Sequence, residues 1–199
     1  MNIQELANHI QNKNTIILGK RYSGKTILSI YFILKNLEYF NNIYIFFSDF
    51  FSYYSYLSYL NKKNKNIIIY YINNFEILKN ILTQVLKNIK TNDLLFFDRF
   101  SLIPKLILEE RIKIYSNIMK MFFISFLVIK NYKGSMLINY TFEENDKVIN
   151  LVKYWCDLLI NIDRIKNNIK LSVIYLSENK EVLLETNLDY LLNIIKYGE

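Results

Sequence analysis

Eight consecutive residues, 19–26, constrain this chain more than any other part of its sequence. They read Gly-Lys-Arg-Tyr-Ser-Gly-Lys-Thr and fit the pattern G-x-x-x-x-G-K-[ST]. The short apolar run at 15–18 predicts a strand before them, and apolar side chains spaced by three and four from Lys25 to about Phe40 predict a helix after them. Strand, glycine-containing loop and helix in this order are the context that a phosphate-binding loop requires.

The residue types in this loop suit phosphate binding. Glycines let the backbone turn so that successive N–H groups point at phosphate oxygens, and the start of the helix adds a partial positive charge. We expect Lys25 to be exposed in the loop and to reach the β- and γ-phosphates, and the Thr26 hydroxyl to coordinate Mg²⁺. The alternative is a chance match or a loop that no longer binds nucleotide, and the flanking strand and helix patterns argue against it. The predicted nucleotide-binding residues are Gly19, Lys20, Arg21, Tyr22, Ser23, Gly24, Lys25 and Thr26.

Three polar residues at the ends of predicted strands are candidates for the rest of the site. Asp98 closes the apolar run at 94–97, where a carboxylate would hold the water shell of the magnesium ion beside Thr26. Its alternative role is to cap the next turn. Asp49 follows the run at 43–48, and Asn139 lies within 136–140, so either is a candidate to contact the attacking water or the γ-phosphate. Asp and Asn are also common turn residues, which weakens the assignment of both.

The order of apolar runs predicts an α/β fold. Short, continuous runs between helical stretches are typical of parallel strands buried on both faces, with helices on both sides of the sheet. The predicted parallel strands are 15–18, 43–47, 67–71, 94–97 and 135–140, and the intervening helices lie near 53–60, 75–89, 109–129 and 148–154. The tail at 157–163, 170–176 and 181–185 predicts antiparallel strands, followed by a helix over 188–197. Without a linker or repeat, residues 1–199 are expected to form a single nucleotide-binding domain.

Composition excludes several classes of site. Cys156 is the only cysteine and His9 the only histidine, so neither an intramolecular disulfide nor a Cys- or His-rich metal cluster is expected. The longest apolar block, 121–129, is too short to span a bilayer, which leads us to expect a cytoplasmic or nuclear protein without a membrane partner. The net charge of +7 favours an anionic partner, although the excess of lysine also fits a biased base composition.

Taken together, these features resemble the RecA superfamily, and within it the small RadB-like recombinase paralogues and the KaiC-like ATPases. The resemblance runs from Thr15 to about Leu188 and rests on the loop, the strand ending in Asp98, the helix beginning near Glu109, and the strand with Asn139. It implies a RecA-like P-loop domain that binds ATP and Mg²⁺, with Asp98 as the Walker B carboxylate. It also implies that Asp49 stands where the family usually has a catalytic Glu.

Departures from the family pattern indicate an accessory paralogue with weak, Mg²⁺-dependent ATP hydrolysis. Asp49 is one methylene shorter than the family's Glu, which places a general base farther from its water. The only alanine, Ala7, has no Phe three residues before it, so the F-x-x-A polymerisation motif is missing from these residues. The segment at 140–148 is short where recombinases have a long DNA-binding loop, and the hairpin at 174–182 lacks a basic pair. We therefore expect function in DNA repair or recombination with a partner protein, a recombinase or RecA-like paralogue, and single-stranded DNA as a candidate ligand.

Two other functions remain open at this point. A KaiC-like switch would use nucleotide to control protein association without DNA. A small-molecule kinase is disfavoured because its lid needs several arginines, and Arg21, Arg99, Arg111 and Arg164 are scattered. The tyrosine-rich stretch at 53–59, followed by lysines, could stack on bases, but its helical spacing favours packing against the core or a partner.

Overall fold

A computed structural model describes residues 1–48, 60, 66–98, 113–141 and 153–197. In these ranges the strands are β1 (Asn14–Leu18), β2 (Ile43–Phe47), β3 (Ile67–Tyr71), β4 (Leu94–Phe97), β5 (Ser135–Tyr140), β6 (Leu158–Ile165), β7 (Asn168–Tyr175) and β8 (Lys180–Asn187). The helices are α1 (Ile3–Asn8), α2 (Lys25–Lys35), α3 (Phe75–Asn88), α4 (Lys113–Asn131) and α5 (Leu188–Tyr197). None of the described helices is long and apolar enough to cross a membrane.

The strands form one mostly parallel sheet in the order β3-β2-β4-β5-β1-β6-β7-β8. The first six strands in this order, from β3 across to β6, run parallel to one another. Strands β7 and β8 extend the sheet beyond β6 by antiparallel pairing. The carboxyl ends of the parallel strands therefore meet at one edge, where ligands bind in open α/β sheets. This architecture confirms the predicted fold class, including the antiparallel C-terminal strands.

The described helices pack against both faces of the sheet. Apolar side chains of α1, α2 and α5 pack with one face in a cluster that includes Ile17, Phe96 and Leu137. Side chains of α3 and α4 pack with the opposite face, around Phe97 and Ile138. Consecutive residues of a strand point to opposite faces of the sheet, so the side chains that follow Phe96 and Leu137 by two positions, those of Asp98 and Asn139, lie on the same α2 side.

Burial along β3 differs from the prediction. The residues of β1, β2, β4 and β5 are all buried, as continuous apolar runs predict, but Ile68 and Tyr71 of β3 are 40% and 45% exposed. The reason is that β3 is the outermost strand among the described residues, in which it pairs with β2 alone. Its apolar sequence alone does not distinguish an edge strand from a central one.

Helix α2 ends at Lys35, five residues earlier than its apolar spacing predicts. The side chain of Asn36 donates through Nδ2 to Phe32 O and to Ala7 O, both at 2.8 Å, and accepts from Gln11 Nε2 at 2.6 Å. The buried Asn36 amide thus pairs with backbone carbonyls of both α1 and α2. These hydrogen bonds fix the backbone at the end of α2, where the helix stops, and they hold α1 against α2. Most of the helix predicted at 53–60 and most of that at 148–154 lie outside the described residues.

At the amino-terminal ends of the parallel strands, the buried Asp93 side chain joins two loops by hydrogen bonds. Its carboxylate accepts from Asn42 N at 3.0 Å, from Asn42 Nδ2 at 2.9 Å and from Lys90 N at 2.8 Å. Asp93 precedes β4 and Asp98 follows it, so these two buried carboxylates lie at opposite edges of the sheet. Asp93 fixes the backbone just before β2 and β4. Its hydrogen bonds therefore give it a structural role.

Cys156 belongs to the hydrophobic core. It packs in the cluster on the α3 and α4 side, and burial raises the pKa of its thiol to about 12, with a smaller contribution from Asp157. A thiol that stays protonated at neutral pH is a poor nucleophile and a poor metal ligand. Cys156 is therefore a packing residue.

Candidate nucleotide-binding site

Two residues of the loop between β1 and α2, Tyr22 and Gly24, have positive φ angles. Gly24 has φ +97°, in the left-handed region that favours glycine, and immediately precedes the first residue of α2. Tyr22 also has a positive φ, of 61°, and its ring is 85% exposed. The backbone is thus left-handed at Tyr22 and at Gly24, just before α2 begins. The N-terminus of this helix lies at the carboxyl ends of the parallel strands.

Gly19 is required by the close approach of two strands. A Cβ at this position would lie 2.8 Å from the carbonyl oxygen of Ile162 and 2.5 Å from Ser23 Oγ, and it would also overlap Ile162 Cγ2. The Gly19 N–H donates to Tyr140 O at 3.3 Å. Gly19 therefore fits between β5 and β6 at the end of β1, and any side chain would force the loop or β6 to move.

Lys25 is buried, contrary to the expectation that it is exposed in the loop. It is 8% exposed, and its ammonium group donates to Gly19 O at 2.8 Å and to Lys20 O at 2.6 Å, with Ser23 Oγ at 3.4 Å. These contacts arise because the loop folds back over the first turn of α2. The ammonium charge thus lies inside the curve of the loop, and the side chain also stabilises that curve.

Two predicted metal residues, Thr26 and Asp98, are in contact. Thr26 Oγ1 donates to Asp98 Oδ1 at 3.3 Å, and Asp98 is 1% exposed. They are 72 residues apart in sequence and meet because α2 lies over the carboxyl end of β4. A hydroxyl and a carboxylate side by side at a helix N-terminus match the arrangement expected for a magnesium site.

The oxygen atoms at this position fit Mg²⁺. Asp98 Oδ2 is buried and has no hydrogen-bond partner among the described residues, although a buried carboxylate oxygen is costly to leave unpaired. A metal-bound water would supply the missing donor. The described residues contain no cluster of three or more His, Cys, Asp or Glu. A magnesium ion that keeps several waters and shares phosphate oxygens needs only one or two protein carboxylates.

Asn139 contacts Asp98 instead of facing open solvent. It is 1% exposed, donates from Nδ2 to Asp98 Oδ1 at 2.8 Å, and accepts from Ser29 Oγ at 2.7 Å. Both ends of its amide are thus used within the protein. This geometry favours a role in orienting Asp98, and contact with the attacking water stays a prediction. The other proposed catalytic residue, Asp49, lies outside the described residues.

Two further residues near the loop were not identified from the sequence. Ser29 follows Thr26 by three positions, so the two hydroxyls share a face of α2, a signal that helical spacing could have supplied. Arg164, at the end of β6, donates from Nη1 to Tyr22 O at 3.3 Å and from Nε to Lys166 O at 2.7 Å. This contact across 142 residues has no sequence signal. It brings the Arg164 guanidinium to the backbone of the loop at Tyr22.

Comparison with known proteins finds a solved structure with a similar fold, but no protein with a similar sequence. No protein-family model matches the sequence, and no curated protein matches it. The fold is similar to a solved structure described as "Crystal structure of the RadB recombinase", with a TM-score of 0.69 over 89% of this chain and 88% of that chain, at 13% identity. The chain has the RecA-like fold. At this identity the match establishes the fold, and the chemistry must be argued from the residues themselves.

The position of Gly19 generates a prediction about stability. Gly19→Ala should lower the free energy of unfolding by about 1–3 kcal/mol, because overpacking at a close contact forces backbone shifts. Urea denaturation of purified protein measures the loss. In an Ile162→Ala background the same change should cost less, since the overlapping Cγ2 is gone while Ile162 O remains. An equal cost in both backgrounds would show that the Ile162 side chain does not limit the space at Gly19, and no cost at all would show that Gly19 and β6 are not in close contact.

Proposed function

We propose that this chain is an ATP- and Mg²⁺-binding RecA-like accessory protein that acts with a partner in DNA repair or recombination. The observation that carries the nucleotide assignment is the contact between Thr26 Oγ1 and Asp98 Oδ1 at 3.3 Å, directly beside the loop at 19–26. A phosphate-loop sequence can occur by chance. A buried carboxylate from a distant strand, aligned with the threonine hydroxyl of that loop, is a second and independent feature of a nucleotide site.

In this proposal the loop residues have separate roles. The backbone N–H groups of 19–26 and the N-terminus of α2 bind phosphate oxygens, because both present partial positive charge to an anion. Lys25 supplies a full charge to the β- and γ-phosphates, exchanging contacts with the loop carbonyls for contacts with ligand. Thr26 and Asp98 hold Mg²⁺, directly or through water. Bound Mg²⁺ would neutralise charge on the phosphate oxygens.

Weak hydrolysis follows from the groups that would act on the γ-phosphate. Asp49, proposed as the general base, is shorter than the Glu of the family that this chain resembles. Arg164 donates to two backbone carbonyls, Tyr22 O and Lys166 O, so its guanidinium supports the loop from one side. The hairpin at 174–182 carries no basic pair, and no F-x-x-A motif is present to bring a second copy's cation. A partner protein is therefore proposed to complete the site.

The assignment to DNA repair or recombination has two supports. One is the net charge of +7, which favours binding to a polyanion. The other is the fold similarity to a protein described as a recombinase. The competing function, a nucleotide-controlled switch that binds protein partners without DNA, uses the same phosphate site. DNA binding is the property that separates the two.

Lys25→Ala is expected to weaken ATP binding by tens of fold or more, since a charged hydrogen bond to phosphate contributes about 1.5–3 kcal/mol. Isothermal titration calorimetry with Mg²⁺ and ATP measures the change. The variant should remain folded by circular dichroism but with reduced stability, because Lys25 also bonds Gly19 O and Lys20 O. Lys35→Ala removes the same charge from the exposed last turn of α2 and should bind ATP like the unmodified protein. Equal affinities for all three would contradict phosphate binding by Lys25.

Steady-state phosphate release should be slow, below about 1 s⁻¹, the lower end of typical enzymatic turnover. The physical reason is the missing positive group, which alone accounts for about 10³–10⁵ in rate in related phosphoryl-transfer systems. The assay uses purified protein with saturating Mg²⁺ and ATP, in the presence and absence of single-stranded DNA. Lys25→Ala protein sets the background. Turnover of several per second by the isolated chain would contradict the need for a partner.

Single-stranded DNA should bind with an affinity that falls as salt rises, because phosphate contacts release counterions. Fluorescence anisotropy of a labelled oligonucleotide, measured over a salt series with and without ATP, gives the slope. If ATP changes the affinity for the oligonucleotide, Lys25→Ala should abolish that change. The dependence of DNA affinity on salt should stay the same in this variant. Absence of salt-dependent binding under all these conditions would exclude the DNA-binding function and favour the protein switch.

A further inference from the structure

We infer that Ser29 and Asn139 form a buried hydrogen-bond relay that fixes the plane of the Asp98 carboxylate for metal binding. Ser29 is the end of this relay and would act as a positioning residue, without contact to ligand. The inference rests on the proposed nucleotide and Mg²⁺ site and adds a residue to it. It predicts that a hydroxyl in the second turn of α2 changes how strongly Mg²⁺ strengthens nucleotide binding.

The two hydrogen bonds of the relay share the Asn139 amide, and all three side chains are buried. Ser29 Oγ donates to Asn139 Oδ1 at 2.7 Å, and Asn139 Nδ2 donates to Asp98 Oδ1 at 2.8 Å. The exposed fractions of Ser29, Asn139 and Asp98 are 0%, 1% and 1%. Water is therefore not available to replace either hydrogen bond, and the geometry of each group depends on the next.

The chemistry of the groups sets the direction of the relay. Asp98 Oδ1 accepts from the Asn139 amide, which turns its NH₂ group toward the carboxylate. The amide oxygen then faces α2 and needs a donor, which the Ser29 hydroxyl supplies. A helical serine commonly donates to the carbonyl four residues earlier. Here the hydroxyl donates across to β5, which holds the amide in the orientation that Asp98 requires.

The relay leaves the two oxygens of Asp98 in different states. Oδ1 accepts from Asn139 on one side and from Thr26 Oγ1, at 3.3 Å, on the other. Oδ2 is buried without a hydrogen-bond partner among the described residues. Donors on both sides of Oδ1 resist rotation of the carboxylate about χ2, so Oδ2 stays directed away from them. An oxygen held in this way is preorganised to accept from a metal-bound water.

Helix α2 thereby contacts Asp98 by two routes. Thr26 reaches the carboxylate directly, and Ser29, one turn later on the same face, reaches it through Asn139. A role limited to packing would not need this directed pair of bonds. A positioning role predicts that the loss of Ser29 affects the Mg²⁺-dependent part of nucleotide affinity selectively.

The test compares nucleotide affinity in excess Mg²⁺ with affinity in excess EDTA, using a fluorescent ATP analogue. The ratio of the two is the magnesium gain. Ser29→Ala should reduce this gain by about tenfold, because residues that orient metal ligands typically contribute 10–100-fold to affinity. The affinity in EDTA should be unchanged. Ser125→Ala, which removes another fully buried serine hydroxyl from helix α4, is the matched control and should keep the whole gain.

Two further variants separate positioning from stability. Ser29→Thr keeps the donor but adds a methyl group at a fully buried position, so it should lose stability in urea denaturation and retain the magnesium gain. Asn139→Ala should lose the gain, and adding Ser29→Ala to it should cause no further loss, since the relay is already broken. Additive losses in this double-mutant cycle would overturn the relay.

The outcomes distinguish the inference from the proposed function. A normal magnesium gain in Ser29→Ala, with the unmodified protein binding as proposed, would overturn the relay alone. An equal loss of affinity in Mg²⁺ and in EDTA would assign Ser29 a structural role and also overturn it. Failure of the folded, unmodified protein to bind the analogue under either condition would overturn both the proposed function and the relay.

Discussion

The narrow space between β1 and β6 at Gly19 determines where everything else in the site lies. The backbone there is close enough to Ile162 that only glycine fits, and the loop that follows must bend back over the end of β1. Lys25 then donates into the inside of that bend, to the carbonyls of Gly19 and Lys20. As a result α2 begins directly above the carboxyl edge of the sheet, with its N-terminal N–H groups at the position where an anion is stabilised.

From that starting point, a single face of α2 contributes two polar side chains to the proposed site. Thr26 and Ser29 both point toward the ends of β4 and β5, where Asp98 and Asn139 follow buried apolar residues. The four side chains form one connected set of hydrogen bonds beneath the loop. The RecA-like fold provides the edge and the helix, whereas the chemistry depends on these particular polar residues. The proposed nucleotide and metal binding rests on local geometry, whereas the proposed role in DNA repair rests on net charge and fold similarity.

Much of this arrangement could be predicted from the sequence because it follows from local pattern. The apolar runs gave β2 to β5 with the observed bounds, and strand position alone brought Asp98 to the same edge as Thr26. Burial depends on neighbours, so the exposed edge strand β3 and the buried Lys25 were not predictable from spacing. Contacts such as Arg164 with Tyr22 O depend on how distant segments pack, and no local pattern records them. Ser29 lay within a recognised helix, but its importance appears only when its hydrogen-bond partner is known.

The central claim is that residues 19–26 and Asp98 form a site for a magnesium-bound nucleoside triphosphate. A crystal structure of the protein with Mg²⁺ and a non-hydrolysable ATP analogue tests it most directly. We expect triphosphate density along the backbone N–H groups of the loop, with the Lys25 ammonium moved onto phosphate and a metal ion held by Thr26 and, through water, by Asp98 Oδ2. Crystals grown with saturating analogue in which the loop holds no ligand and Lys25 still contacts Gly19 O, or in which the nucleotide lies elsewhere, would contradict it.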